Sequence, residues 1–139
     1  MLRRCLRTLT KNGNSRTIAI PGSLRANLGW FTGQLFDVTH DNLTGVVTLR
    51  AISQAEAAAI ASSGRLTGAR CVRVLTKNGN CRTVALPHSI VNRRLWQAGQ
   101  PFELTFDSET TLVTLRALGE PQDRGLRGGY TTRLREVSA

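Results

Sequence analysis

Apolar positions in this chain come in short runs, each cut off by a polar or glycine-bearing turn. "CLRTLT" at residues 5–10 is β-prone, and "KNGN" follows it. Asn-Gly marks a tight hairpin, because both residues accept the positive φ of a type I′ turn. "SRTIAI" then resumes as a strand. Pro21 closes it, since proline has no N–H with which to continue a ladder. "GSLRANLGW" predicts a short helix with Ser23 in its first turn or capping it. "QLFDVTHD" and "VVTLR", joined by a polar turn at 41–45, predict a second hairpin. The pattern is β-β-α-β-β.

The same pattern returns 66 residues later (Cys5 to Cys71) without a gap, through Ala51 and Ala117. "LTKNGN" stands at 9–14 and again at 75–80, Pro21 answers Pro87, and Trp30 answers Trp96. "GQLF" answers "GQPF", "VTLRA" recurs unchanged, and Ser89 holds the place of Ser23. About half of the aligned positions are identical, and most of the others exchange one apolar residue for another. The chain is a duplication. Its divisions are a first unit at 1–51, an Ala-rich helical linker at 52–68, a second unit at 69–118, and a basic Gly-rich tail at 119–139 that reads as flexible.

Charge narrows the classes of partner. Nineteen Lys and Arg oppose nine Asp and Glu, a formal net charge of +10. The basic residues gather early in each unit: Arg3 to Arg25 precede the first acid, Asp37, and Arg65 to Arg94 precede Glu103. Such a surface attracts polyanions. The mean hydropathy is −0.17, and no apolar run nears the ~18–20 residues of a membrane span. A cytoplasmic location is therefore expected, with no membrane partner. Cys5, Cys71 and Cys81 form neither a disulfide framework nor a metal-ligand pattern, and read as small apolar strand residues. Neither a phosphate loop nor a nucleophile elbow is present, so no enzyme, cofactor or metal is expected. Asp37/Glu103 and Asp41/Asp107 read as solvated strand and turn residues. Trp30 and Trp96 read as core, and His40 and His88 as ordinary surface or loop positions.

"KNGNSRTIAIPGSLRANLG" resembles the AbrB/MazE/SpoVT family of swapped-hairpin DNA-binding domains. The motif, GNS then an apolar position then IP, is complete in the first unit; in the second, Cys81 replaces the Ser and Leu86 the Ile. The resemblance covers both units, hence most of the chain outside linker and tail. Members usually carry one unit, and two chains exchange N-terminal hairpins to close one barrel. Two units on one chain imply a covalent pseudo-dimer. The fold class expected is thus mainly β with short helices: two β-β-α-β-β units forming one pseudo-two-fold swapped-hairpin barrel. Homodimerisation of the whole chain stays open.

By position, the resemblance places DNA contacts at Lys11, Asn12, Asn14, Ser15 and Arg16, with Lys77, Asn78, Asn80, Cys81 and Arg82 as counterparts. MazE-like antitoxins often carry an Arg directly before the IP dipeptide; Ala19 and Ala85 stand here instead. The lysines flank a turn from which they can reach phosphates, or they guard an edge strand. Arg16 and Arg82 suit bidentate recognition of guanine in a major groove, and Asn14 and Asn80 suit bases or phosphates. Asn12-Gly13 and Asn78-Gly79 are needed by the turn whatever the function. Arg7 and Arg73 divide evenly between DNA contact and an internal salt bridge.

The reading is a sequence-specific double-stranded DNA-binding transcriptional regulator with a near-palindromic site. Differences between the halves, Ser15/Cys81, Gly22/His88 and Arg25/Val91, predict that the palindrome is imperfect. The alternatives are an antitoxin whose tail binds a toxin, a protein-interaction or inhibitor module on the same scaffold, and a low-specificity architectural binder.

Overall fold

The computed structural model describes residues 2–63 and 70–119. Expectations for the end of the linker and for the tail lie outside these residues. The described chain is mainly β, with ten strands and three short helices. The first half contributes β1 (Leu2–Thr8), β2 (Thr10–Asn12), β3 (Ser15–Ala19), α1 (Gly22–Leu28), β4 (Leu35–His40) and β5 (Val47–Ile52). The connecting helix is α2 (Gln54–Ser62). The second half repeats the order as β6 (Arg70–Val74), β7 (Thr76–Asn78), β8 (Cys81–Ala85), α3 (His88–Arg94), β9 (Pro101–Asp107) and β10 (Leu112–Ala117).

The strands form two antiparallel sheets, not one closed barrel: six strands in the order β1-β9-β10-β5-β4-β6, and four in the order β2-β3-β8-β7. The single first strand expected for each unit is broken, at Leu9 and at Leu75. The reason is a change of backbone partner. Leu9 donates its N–H to the Gln100 carbonyl at 2.8 Å and accepts from Gly99 N–H at 2.7 Å. Leu75 does the same with Gln34 and Gly33, both at 2.8 Å. Each leucine is fully buried, and the chain leaves one sheet for the other at that point. Gly33 and Gly99 hold φ near +100° (102° and 97°), a backbone state open to glycine and rarely to other residues.

The halves exchange strands. β1 pairs along its length with β9 of the other half, and β6 pairs with β4. The four-stranded sheet joins the halves through β3 and β8, with Ile18 opposite Val84 at its centre. The core lies between the sheets and repeats across the halves. Trp30 meets Phe36 edge-to-face at 4.9 Å and 85°, and Trp96 meets Phe102 at 4.8 Å and 82°. Both tryptophans are buried, as the pattern predicted.

α1 and α3 each begin directly after a proline, and neither has a side-chain cap. Ser23 therefore sits in its first turn without capping it. α2 is capped, because Ser53 Oγ accepts from Glu56 N–H at 3.1 Å. No helix among the described residues is long and apolar enough to cross a membrane.

Asp37 departs from its expected solvated state. Its carboxylate is only 5 % exposed and takes two hydrogen bonds from Arg70, at 2.9 and 2.8 Å, and one from Arg50 at 3.2 Å. Arg50 also reaches Glu56 of α2 at 2.8 Å. The cluster thus ties β4 and β5 to the exchanged strand β6 and to the connecting helix. The repeat-equivalent cluster is looser: Glu103 pairs with Arg116 at 2.7 Å and with Arg4 at 3.8 Å, and both arginines are mostly exposed. Burial alone pushes the Asp37 carboxyl up. The hydrogen bonds and charges of Arg70 and Arg50 outweigh it and hold the group below its ordinary 3.8.

Asp37→Asn is expected to cost about 1–3 kcal/mol at neutral pH, less than a fully buried pair because its arginines retain solvent. Glu103→Gln is expected to cost under ~1 kcal/mol. Because folding lowers the Asp37 pKa, its stabilisation is complete above the unfolded value and fades as pH falls through the folded one. Urea denaturation of the wild type and Asp37→Asn from pH 7 down to acid checks this: the gap between the two narrows below about pH 4.

Candidate nucleic-acid interface

Each tip of the four-stranded sheet is a two-residue turn. Asn12 pairs with Ser15 and Asn78 with Cys81, so the turn residues are Gly13-Asn14 and Gly79-Asn80. Only the glycines have positive φ, 63° and 64°. A positive φ at the first turn position alone is the pattern of a type II′ turn, which corrects the expected type I′ with Asn-Gly at its centre. The asparagines before each glycine close the ladder instead.

The cross-strand register sorts the candidate residues onto two faces. Lys11 stands directly opposite Arg16, and Lys77 opposite Arg82. This is the face on which Ile18 and Val84 enter the core. Asn12 and Ser15, with Asn78 and Cys81, share the other face, beside Thr10, Thr17, Thr76 and Thr83. On that face Thr10 and Thr17 hydroxyls meet at 2.9 Å. Asn14 and Asn80 sit at the tips. The set predicted as one contact surface is thus split between two faces and the tips of one sheet.

β3 and β8 run antiparallel, so the tips point to opposite ends. Counting residues through the Ile18–Val84 pair, the two tips stand roughly 26 Å apart and Arg16 and Arg82 about 14 Å apart. The four-stranded sheet holds Lys11, Arg16, Lys77 and Arg82 and no acidic residue. Among the described residues no carboxylate pairs with any of these four.

Arg7 and Arg73 lie opposite the buried Phe102 and Phe36. Each guanidinium bonds the carbonyl before it, Leu6 at 2.8 Å and Val72 at 3.3 Å. Neither has a carboxylate partner among the described residues. Arg93 and Arg94, counted with the early basic residues, grip the turn of the first half. Arg94 reaches the carbonyls of Asn42 and Leu43 at 2.8 and 3.2 Å, and Arg93 reaches Asn42 Oδ1.

A cleft of about 280 Å³ opens between the first hairpin and α3, lined by Asn14, Arg16, His88, Val91, Asn92, Leu95, Trp96 and Gln97. His88, expected to be an ordinary surface position, belongs to this wall. The sequence signal for it was its mismatch with Gly22 across the repeat. Arg16 Nε is buried and has no hydrogen-bond partner among the described residues, and Arg25 Nε in the first-half helix is the same. Among the described residues no three His, Cys, Asp or Glu side chains gather as a metal site. Burial pushes the Cys71 thiol up, away from the reactive thiolate.

Set against models of protein families, curated proteins and solved structures, the chain matches none.

Leu95 borders the cleft in the left-handed conformation, φ 60°, where the first half has Gly29 at φ 68°. A β-carbon costs ~1–2 kcal/mol in this state, and Leu95 is 52 % exposed, so little packing offsets the strain. Leu95→Gly is expected to raise stability by about 0.5–1 kcal/mol after the extra freedom of an unfolded glycine is counted. Gly29→Leu is expected to lower it. Thermal melts of both variants check the sign.

Proposed function

We propose that the protein is a sequence-specific double-stranded DNA-binding regulator that reads a near-palindromic site with its two hairpins. The observation that carries this is the four-stranded sheet itself: four cations in pseudo-two-fold array, no acid on any of its strands, and no carboxylate among the described residues paired with them. The swapped-hairpin barrel implied by the family resemblance is part of the proposal. It is supported by the two exchanged pairings, β1 with β9 and β4 with β6, and by strands that run on from one sheet into the other at Leu9 and Leu75.

A major groove about 12 Å wide admits a two-stranded ribbon. Tips roughly 26 Å apart fall within one helical turn of ~34 Å, so both hairpins serve one short operator. Lys11, Lys77, Asn14 and Asn80 supply phosphate contacts that set position. Arg16 and Arg82 supply base contacts. Ser15 against Cys81 makes the two half-sites unequal.

The test is fluorescence anisotropy with the duplex upstream of the protein's own gene and a scrambled duplex, at several salt concentrations. The upstream duplex is expected to bind at least about a hundredfold tighter. The quadruple variant Lys11→Ala/Arg16→Ala/Lys77→Ala/Arg82→Ala is expected to lose that preference, with a log–log salt slope shallower by about 3–4. Equal binding of both duplexes with a steep salt slope would reduce the protein to an architectural binder. No binding near ~150 mM salt would sink the DNA reading.

A further inference from the structure

We propose that the cleft beside the first hairpin is a binding site for a small phosphomonoester with an apolar body. Three observations converge on it. The first is Arg16. It lines the cleft and has no side-chain hydrogen bond or ion pair among the described residues. No carboxylate among the described residues faces its guanidinium. An incoming oxyanion supplies a counter-charge and acceptors to the guanidinium.

The second is the rest of the lining. Asn14, Asn92, Gln97 and His88 add side chains that can donate hydrogen bonds, and none of the described residues lining the cleft is acidic. The third is the apolar part. Val91, Leu95 and Trp96 make one wall, and Trp96 and Val91 are themselves buried. A bare inorganic ion leaves that wall unused. A phosphate on an apolar or aromatic group covers it, in the way small-molecule sites combine an apolar surface with a few placed polar groups.

The site belongs to one half only. In α1 the residues answering His88 and Val91 are Gly22 and Arg25. The Arg25 guanidinium folds back over Gly22, its Nη2 3.6 Å from where a β-carbon would stand. The position that is open wall in α3 is thus filled by a cation in α1. Arg16 and Asn14 also belong to the proposed DNA face, so ligand and DNA compete for them. That consequence alone rests on the DNA-binding reading.

The test uses the full chain without DNA, at fixed ionic strength. Phenyl phosphate, phenol and dimethyl phosphate are titrated by calorimetry, and the Arg16 Nε–H resonance is followed by NMR. Dimethyl phosphate stands for a DNA backbone phosphate, the other source of the same group. Phenyl phosphate is expected to bind at least tenfold tighter than either other probe and to shift the Arg16 Nε–H. Arg16→Met is expected to weaken it tenfold or more, and Asn92→Asp, an exposed change that places a carboxylate in the cleft, by a similar factor. Arg82→Met is expected to leave it unchanged. Circular dichroism confirms that each variant is folded. No phenyl phosphate binding up to about 10 mM (weaker than about −3 kcal/mol) overturns the proposal. So does dimethyl phosphate binding as tightly as phenyl phosphate, or an Arg82→Met loss as large as that of Arg16→Met.

Discussion

One backbone constraint organises the molecule: each half holds the pivot leucine of the other. Leu9 and Leu75 each trade two main-chain hydrogen bonds with the Gly-Gln pair of the opposite half. An unpaired buried amide is expensive, so a chain that bends at Leu9 must have Gly99 and Gln100 in place. The reciprocal bond at Leu75 makes the requirement mutual. Neither half satisfies its own pivot, and a lone unit would also lack the partner strand that β1 and β6 use. The Gly-Gln repeat is thus a clasp. Gln34 and Gln100 also bond the carbonyls of Ile52 and, in the other half, Leu118 through their side chains.

That clasp decides where the basic hairpins point. Once the strand turns at Leu9 it leaves the six-stranded sheet, and β2 with β3 can pair only through the centre of the smaller sheet. Ile18 and Val84 lock that centre into the core. The tips are then carried to opposite ends, with Lys11 and Lys77 exposed and Arg16 and Arg82 half-buried, at a spacing fixed by residue count. Covalent linkage of the halves keeps the partner at high effective concentration and removes the dilution that separates a non-covalent pair.

Much of this was legible in the sequence. The duplication, the strand and helix order, the hairpin tips, the buried tryptophans and the connecting helix all follow from residue type and spacing. What was not legible depended on contacts between distant residues. No local signal says that Leu9 is a pivot, because its partners lie ninety residues along the chain, at Gly99 and Gln100. The same holds for Asp37, whose partner Arg70 belongs to the exchanged strand. The turn was misassigned by one residue, since Asn-Gly and Gly-Asn compete for the same two positions and register alone chooses. The candidate contact residues were identified individually, but period-two alternation then divided them between faces.

The cleft was invisible for a different reason: it exists because the two halves have stopped being alike. In a pair of identical chains every substitution appears twice, so a residue that opens a cleft on one side opens it on both. Tandem units escape that coupling. Gly22 and Arg25 can remain on one side while His88 and Val91 stand on the other. A glycine cap at Gly29 becomes Leu95, and Gly45, where a β-carbon would meet Arg94 at 2.8 Å, becomes Thr111. These four differences lie on the helices and turns. The clasp residues, Leu9 with Leu75, Gly33 with Gly99 and Gln34 with Gln100, remain identical. The exchanged strands themselves differ in side chain, Leu6 against Val72 and Val38 against Leu104, while the backbone bonds of the clasp are the same in both halves. Side chains can therefore diverge between the halves, on the exchanged strands as well as on the helices, provided that the main-chain clasp is kept.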